Sequence, residues 1–330
     1  MFINQTKQKI NHQKKYIMKK HFASKTFISL LFGGMVLMGC SSNGSGDEPS
    51  GGTGNEGNQP GVVPENNDPG NNNNPTPDNP DTGSGSGSGS TSWKLVFEDD
   101  FEGDSSTPNP EYWSLAQKGT DTWNRHMSES YNQAYQKDGY LYLFGMMSNG
   151  EYLTGGIESR NKFDFTYGQV KCRARFLRQP QGNHTGIWMM PETQEYGKWP
   201  RSGEIDIMEH LNDDDIIYST VHYWDESAGK EGSSDKTANV DNDDFNTYGV
   251  IWSKESVQFT VNGNVIFTYD NNNPGSDEFS YQYPFVAPFY LILSQSLGGE
   301  GTWEGPIDNS ELPAIFQIDW IKVWQQTDAE

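Results

Sequence analysis

Three acids stand close together in an otherwise apolar stretch: Glu204, Asp206 and Glu209, within Glu204-Ile205-Asp206-Ile207-Met208-Glu209. Charged groups are costly to place on a half-buried strand, so their presence asks for a chemical reason. Breaking a glycosidic bond supplies one. One carboxylate attacks the sugar carbon and one carboxylic acid protonates the leaving oxygen. Side chains alternate faces along a strand, which sets Glu204 and Asp206 on one face and Glu209 on the other. One extra residue at Ile207-Met208, a β-bulge, returns Glu209 to the face of the other two. Glu204 and Glu209 then lie about four strand steps apart, roughly 13 Å between α-carbons. Inward lean of both side chains brings the carboxyls toward the roughly 5–5.5 Å of a retaining, double-displacement site. Asp206 stands between them.

Such a strand needs a sheet around it. Segments 93–97, 140–144, 167–176, 186–190, 216–224, 248–252 and 318–324 are short, rich in β-branched and aromatic residues, and bounded by turn residues. The clearest hairpin is Val257, Phe259 and Val261, then Asn262-Gly263, then Val265 and Phe267. No stretch carries the 3.6-residue period of a long amphipathic helix, and no repeat of 20–50 residues occurs. The expected fold is all-β, a jelly-roll sandwich of two antiparallel sheets with a concave substrate cleft, over residues 92–330.

The chain has ten Trp, sixteen Tyr and seventeen Phe, most of which a sandwich core would absorb. Those near the acids are candidates for stacking on sugar rings. Trp199 reads as a substrate platform. Trp188 and Trp303 are balanced between platform and core. Trp123 and Trp224 lean toward structural roles. His222, on the expected neighbouring strand, is placed to bond Asp206 or a sugar, or to be a satisfied core residue. His210 points to the opposite face and reads as structural. Cys172 falls in the alternating run Val170, Cys172, Ala174, Phe176 and reads as core.

Residues 1–39 hold seven lysines and no acid. Lys19, Lys20 and Lys25 precede an apolar run over 27–38 that suits a signal-peptide core. Met18 is an alternative start. Leu37-Met38-Gly39-Cys40 resembles a bacterial lipobox, which implies a lipid on Cys40; an uncleaved membrane anchor is the alternative. Residues 40–91 are mostly Gly, Ser, Asn, Asp and Pro with almost no apolar residues, the composition of a flexible tether. Asp47-Glu48 resembles the export signal of surface lipoproteins in the Bacteroides group. The expected location is therefore the outer membrane of a bacterial envelope, with the membrane reached only through the lipid. With Cys40 lipidated, Cys172 has no partner and no disulfide holds the domain. The formal net charge of −22 becomes −22 − 7 = −29 without the seven lysines. That disfavours nucleic acid and anionic membranes and favours a neutral glycan. A polyanionic substrate would need a basic patch, for which Arg160, Arg173, Arg175, Arg178 and Arg201 are candidates. A monomer is expected.

The run Trp199-Pro200-Arg201-Ser202-Gly203-Glu204-Ile205-Asp206-Ile207-Met208-Glu209 resembles the signature of glycoside hydrolase family 16, laminarinase-like branch. Weaker matches occur in the right order: Phe97 to Gly103, Gly156-Ile157-Glu158-Ser159-Arg160, Tyr167-Gly168-Gln169-Val170, Ser219-Thr220-Val221-His222, Leu297-Gly298-Gly299 and Ile318 to Trp324. The resemblance implies a jelly roll that cuts internal β-linkages with retention. It implies Glu204 as nucleophile, Glu209 as acid/base and Asp206 as their helper, and no cofactor for the chemistry. Arg160, Trp188, Trp199, His222 and Trp303 are its substrate-binding candidates. Some relatives hold a structural calcium on the convex side; Asp319 matches that ligand position, with an ordinary salt bridge as the alternative. Gly182-Asn183-His184-Thr185-Gly186 departs from the bulky Trp-Pro pair of many laminarinases, and His210 from a usual Tyr. These departures leave β-1,3 or mixed-linkage glucan and β-galactan, including mucin-type O-glycan chains, as the substrates in view. A non-catalytic glycan-binding jelly roll would have lost one or both glutamates, and both are present. A metal site built from His210, His222 and the 213–215 acids fits no standard ligand spacing.

Overall fold

The computed structural model describes residues 92–327 apart from Asp104. The expectations for Cys40, the signal segment and the tether lie outside the described residues. Two antiparallel sheets pack face to face. The first has nine strands. Its path runs β15 (Asn264–Asp270), β14 (Ser256–Val261), β13 (Asn246–Trp252), β8 (Gly168–Arg178), β17 (Ala314–Thr327), β4 (Tyr140–Ser148), β3 (Ala134–Lys137), with β1 (Ser92–Asp99) on β17 and β5 (Glu151–Thr154) on β4. The second has eight strands and carries the acids. Its path runs β12 (Lys230–Asn239), β11 (Ile216–Asp225), β10 (Glu204–Leu211), β9 (Asn183–Pro191), β16 (Phe289–Leu297), β6 (Gly156–Glu158), β2 (Ser114–Leu115), with β7 (Asp164–Phe165) on β16. Among the described residues the one helical element is a 3₁₀ turn at Tyr131–Gln133. None of their helices is long and apolar enough to cross a membrane.

Every segment read as a strand is one, and the sandwich is the expected jelly roll. Asn262 and Gly263 both take positive φ, 51° and 77°, as the tight turn between β14 and β15 requires. Between the sheets lies one continuous core that includes Val170, Cys172, Ile187, Ile205, Ile207, Met208, Phe259, Phe289 and Phe316. Each such side chain, fully buried, contributes about 1.5–3 kcal/mol relative to exposure. Cys172 is a free, buried core cysteine, as read. Strand β16 was not foreseen. All nine of its residues are buried, so it shows no polar–apolar alternation.

Asp319 departs from the calcium expectation. It sits where β17 bulges and is ion-paired with Arg173. A carboxylate already matched by a guanidinium, with that cation adjacent, is a poor ligand for a second cation, so the residues do not fit the calcium. The basic patch is corrected as well. Arg173 and Arg175 lie over the Phe245 ring at 4.1 and 4.4 Å, and Arg201 over Trp224 at 3.9 Å. Neither these three nor Arg160 and Arg178 lines the acid-bearing cleft.

Candidate active site

Strand β10 lies between β9 and β11, and its pairing slips once. Asp206 faces Trp188 of β9, but the next β9 residue, Ile187, faces Met208. On the other side, Thr220 and Tyr218 face Asp206 and Glu209. The extra residue is Ile207. Ile205, Ile207 and Met208 all enter the core, and two successive inward residues are the mark of the bulge. Glu204, Asp206 and Glu209 consequently share the opposite, concave face. The carbonyl of Ile207 accepts a hydrogen bond from the Ser219 hydroxyl at 2.8 Å. That bond fastens the kink to β11.

Alternation carries the site outward. His184, Gly186 and Trp188 on β9, Tyr218, Thr220 and His222 on β11, Asp235 on β12 and Ser294 on β16 line one cleft of about 590 Å³ together with the three acids. Loops add Thr122, Trp123, Trp199, Trp303 and Glu304. Gly186 stands opposite Glu209, and a Cβ there would come within 3.0 Å of Trp188 and 3.2 Å of the Ser294 hydroxyl. The missing side chain leaves that ring its place. Trp188 donates from Nε1 to Ser294 Oγ at 3.1 Å and meets Trp123 edge-to-face at 4.8 Å. Trp199 is 45% and Trp303 54% exposed, so both rings are open to a ligand. Trp199 donates its indole N–H to Glu204. Trp224 holds Arg201 instead of lining the cleft. Arg160 also stays off it: its guanidinium bonds the Tyr290 hydroxyl, lies 4.7 Å over that ring and sits 3.7 Å from Glu158.

His222 pairs in register with Glu204. Its Nε2 is 3.3 Å from Asp206 and its Nδ1 3.0 Å from Glu231. Burial opposes its protonation, but the Asp206 bond and charge outweigh it and raise the group to about 10. Burial, reinforced by the Glu209 charge and opposed by the His222 bond, pushes Asp206 up to about 6. Burial and the Asp206 charge push Glu204 well above the ordinary carboxylate range, against the pull of His222 and Trp199. Glu204, Asp206 and His222 offer ligand atoms within 4.8 Å of one another, the one such group among the described residues. With carboxylates facing both its nitrogens, His222 is protonated and has no lone pair for a metal. The His210 metal reading fails on geometry. His210 is fully buried, stacks on Phe176 at 3.9 Å and bonds the Asp214 carbonyl at 2.7 Å.

Several cleft residues escaped the sequence reading, His184 and Glu304 among them. His184 lies 3.2 Å from Glu209 and 3.5 Å from Glu304. Starting β9 at residue 183 would have put His184 on the Trp188 face by period two. Glu304 lies in a loop, where no period marks it.

A deciding match joins this geometry. The sequence model described as Glycosyl hydrolases family 16 covers residues 120–322. The chain belongs to that family. Among relatives, a keratan-sulfate endo-1,4-β-galactosidase of Sphingobacterium multivorum is 38% identical over 244 residues, 71% of this chain and 56% of that protein. The chain thus spans little more than half of that relative's length. A β-glucanase of Rhodothermus marinus is 29% identical over 247 residues, 71% of this chain and 85% of the relative. Among solved structures, the Rhodothermus marinus laminarinase superposes with a TM-score of 0.63 at 28% identity, covering 72% of this chain and 99% of its own. A structure from the endo-acting O-glycanases with which prominent human gut bacteria initiate mucin breakdown superposes with a TM-score of 0.63 at 30% identity, covering 70% and 98%.

Proposed function

We propose that the chain is a retaining, endo-acting glycoside hydrolase that cuts internal β-galactosidic linkages in neutral stretches of a glycan. The observation that carries this reading is the Ile207 bulge, with three carboxylates on one cleft face. Glu204 attacks the anomeric carbon, and Glu209 protonates the departing oxygen. Water enters, Glu209 takes its proton, and the glycosyl ester on Glu204 is hydrolysed. Acids this close compete for one proton, which belongs to the set and to no single member. Positive charge developing on the sugar favours the ionised form of Glu204 and leaves the proton on Glu209, beside the bond that breaks. Asp206, bonded by His222, disfavours a second negative charge on either side of it. Hydrolysis by this route needs no cofactor.

The galactan reading is supported by the relative at 38% identity, against 29% for the β-glucanase. A β-1,3-glucan reading keeps support from the laminarinase superposition. A product assay against laminarin, lichenan, agar, porphyran and mucin O-glycans tests both. Oligosaccharides with the β-anomer appearing first are expected, from a galactan-containing substrate. The α-anomer first, or release of monosaccharides alone, would contradict the reading. Cys40 is proposed as the lipid-bearing residue of a surface lipoprotein. Cys40→Ala should then move the protein from the membrane to the soluble fraction, and unchanged membrane association would contradict it.

A further inference from the structure

His184 stands between two acids, and neither of its ring nitrogens is spare. Nε2 is 3.2 Å from Oε1 of Glu209, and Nδ1 is 3.5 Å from Oε1 of Glu304. A neutral imidazole has one N–H and one lone pair, so one contact would set a lone pair against a carboxylate oxygen. The imidazolium satisfies both. Glu304 adds a second reason. It is 3% exposed, and a buried carboxylate is costly without a cation. Strand β16 holds the ring in place: the Ser296 hydroxyl is 3.4 Å from Nδ1, and Gln295 donates to the His184 carbonyl at 3.2 Å. Trp303 closes over it edge-on, with ring centroids 5.6 Å apart. The other oxygen of Glu209, Oε2, faces the Thr220 hydroxyl at 3.4 Å.

We propose that His184 is a positioning residue for the general acid: its Nε2–H occupies Oε1 of Glu209, so that Oε2 carries and delivers the proton, while Glu304 fixes the ring from behind. The proposal rests on the reading of Glu209 as acid/base. Other titratable groups facing this cluster are Glu204 and Asp206 on the strand of Glu209, Tyr218 and His222 on β11 and, from the core side, His210. Burial opposes protonation of His184, but the bonds and charges of Glu209 and Glu304 prevail and raise it to about 9. The same pairing draws Glu304 down to about 2 against its own burial. A proton offered from an unfixed carboxyl would be spread over two oxygens and several rotamers. A proton confined to one oxygen arrives where the leaving group needs it.

The test compares leaving groups, using the full chain. The wild type, His184→Ala, His184→Gln and Glu304→Gln are assayed on the best natural glycan of the product assay. They are also assayed on the 2,4-dinitrophenyl β-glycosides of an N-acetylglucosaminyl-galactose, with galactose next to the leaving group, and of laminaribiose, whose leaving group needs no proton. General-acid assistance is worth about 10²–10⁴-fold. His184→Ala should lose roughly 30–100-fold in kcat/KM on the glycan and under about 5-fold in kcat/KM on the activated substrate, because kcat/KM reports the step that forms the glycosyl ester. Removing the positive charge should also move the alkaline limb of the glycan profile up by about one pH unit. His184→Gln keeps an N–H donor and should lose less on the glycan while showing the same shift. Glu304→Gln should lose a few-fold on the glycan alone. Should His184→Ala fail to fold, His184→Gln and Glu304→Gln carry the comparison. Equal losses on both substrates with an unmoved alkaline limb would overturn the proposal, leaving His184 a structural tie for the Trp303 loop. A wild type that cleaves none of these substrates would overturn the reading of Glu209 and this inference with it.

Discussion

Glu204 has the least comfortable position of the three acids. It is half-buried beside Asp206, and its compensation is one indole N–H and the charge of His222. Glu204→Gln removes the nucleophile, so turnover should fall by about 10³-fold or more while glycan binding persists. The same change relieves a disfavoured charge. The melting temperature at pH 7 should rise by roughly 2–4 °C, a trade of stability against activity. An unchanged or lower melting temperature would argue that Glu204 is not strained. The acid limb of activity follows from the raised acids. Attack needs ionised Glu204, which burial and the Asp206 charge push well above the ordinary carboxylate range, so activity should fall at a pH above the usual carboxylate value of about 4. His222→Gln removes a positive charge from the cluster and should move that limb up by about one pH unit. A kcat/KM profile with its acid limb near 4, unmoved in the variant, would contradict this.

At the scale of the element, the bulge at Ile207 is what the chemistry depends on. Ser219 reaches across from β11 to the buried Ile207 carbonyl. Ser219→Ala leaves that carbonyl unsatisfied and should cost about 1–3 kcal/mol, read from denaturant unfolding. It should also lower kcat more than it changes KM, because Glu209 is aimed through the kink; a change confined to KM would detach the bulge from catalysis. The bulge itself was legible in the sequence, since the acids could share a face only if one residue was extra. The Asn262-Gly263 hairpin was legible for its turn chemistry. Strand β12 was not. Lys230–Asn239 is a polar edge strand with no apolar alternation, and only its pairing with β11 defines it. The surroundings of Arg160 were hidden for a related reason. A motif gives its order along the chain but not the Tyr290 ring that its guanidinium lies over.

Across the whole molecule, charge narrows the substrate. The cleft is lined by Glu204, Asp206, Glu209, Asp235 and Glu304, with two histidines and no lysine or arginine. Sulfated sugars next to the scissile bond should be cleaved several-fold more slowly than their desulfated forms, and the gap should shrink in high salt. Faster cleavage of the sulfated form would contradict the neutral-substrate reading. The histidines also shape stability. His184 and His222 are raised to about 9 and about 10 in the folded state, against an unfolded value of about 6.5. Their contribution is present in full below about 6.5 and is lost as pH rises through 9–10. Asp206 acts in the same sense at lower pH, favouring the fold below about 4 and losing that contribution as pH rises through about 6. The melting temperature should therefore decline from pH 7 to pH 10, and a flat profile would mean that the histidines are not paired as drawn. The sandwich and its three acids could be read from the chain, whereas the His184–Glu304 pair needed a loop folded back onto a strand 120 residues earlier.

Trapping the covalent intermediate tests the nucleophile most directly. The full chain is treated with 2,4-dinitrophenyl 2-deoxy-2-fluoro β-disaccharides of both the galactan and the glucan type, digested, and mapped by mass spectrometry. The account predicts a glycosyl ester on Glu204 and nowhere else. An ester on Asp206 or Glu209, or labelling that survives Glu204→Gln, would contradict it.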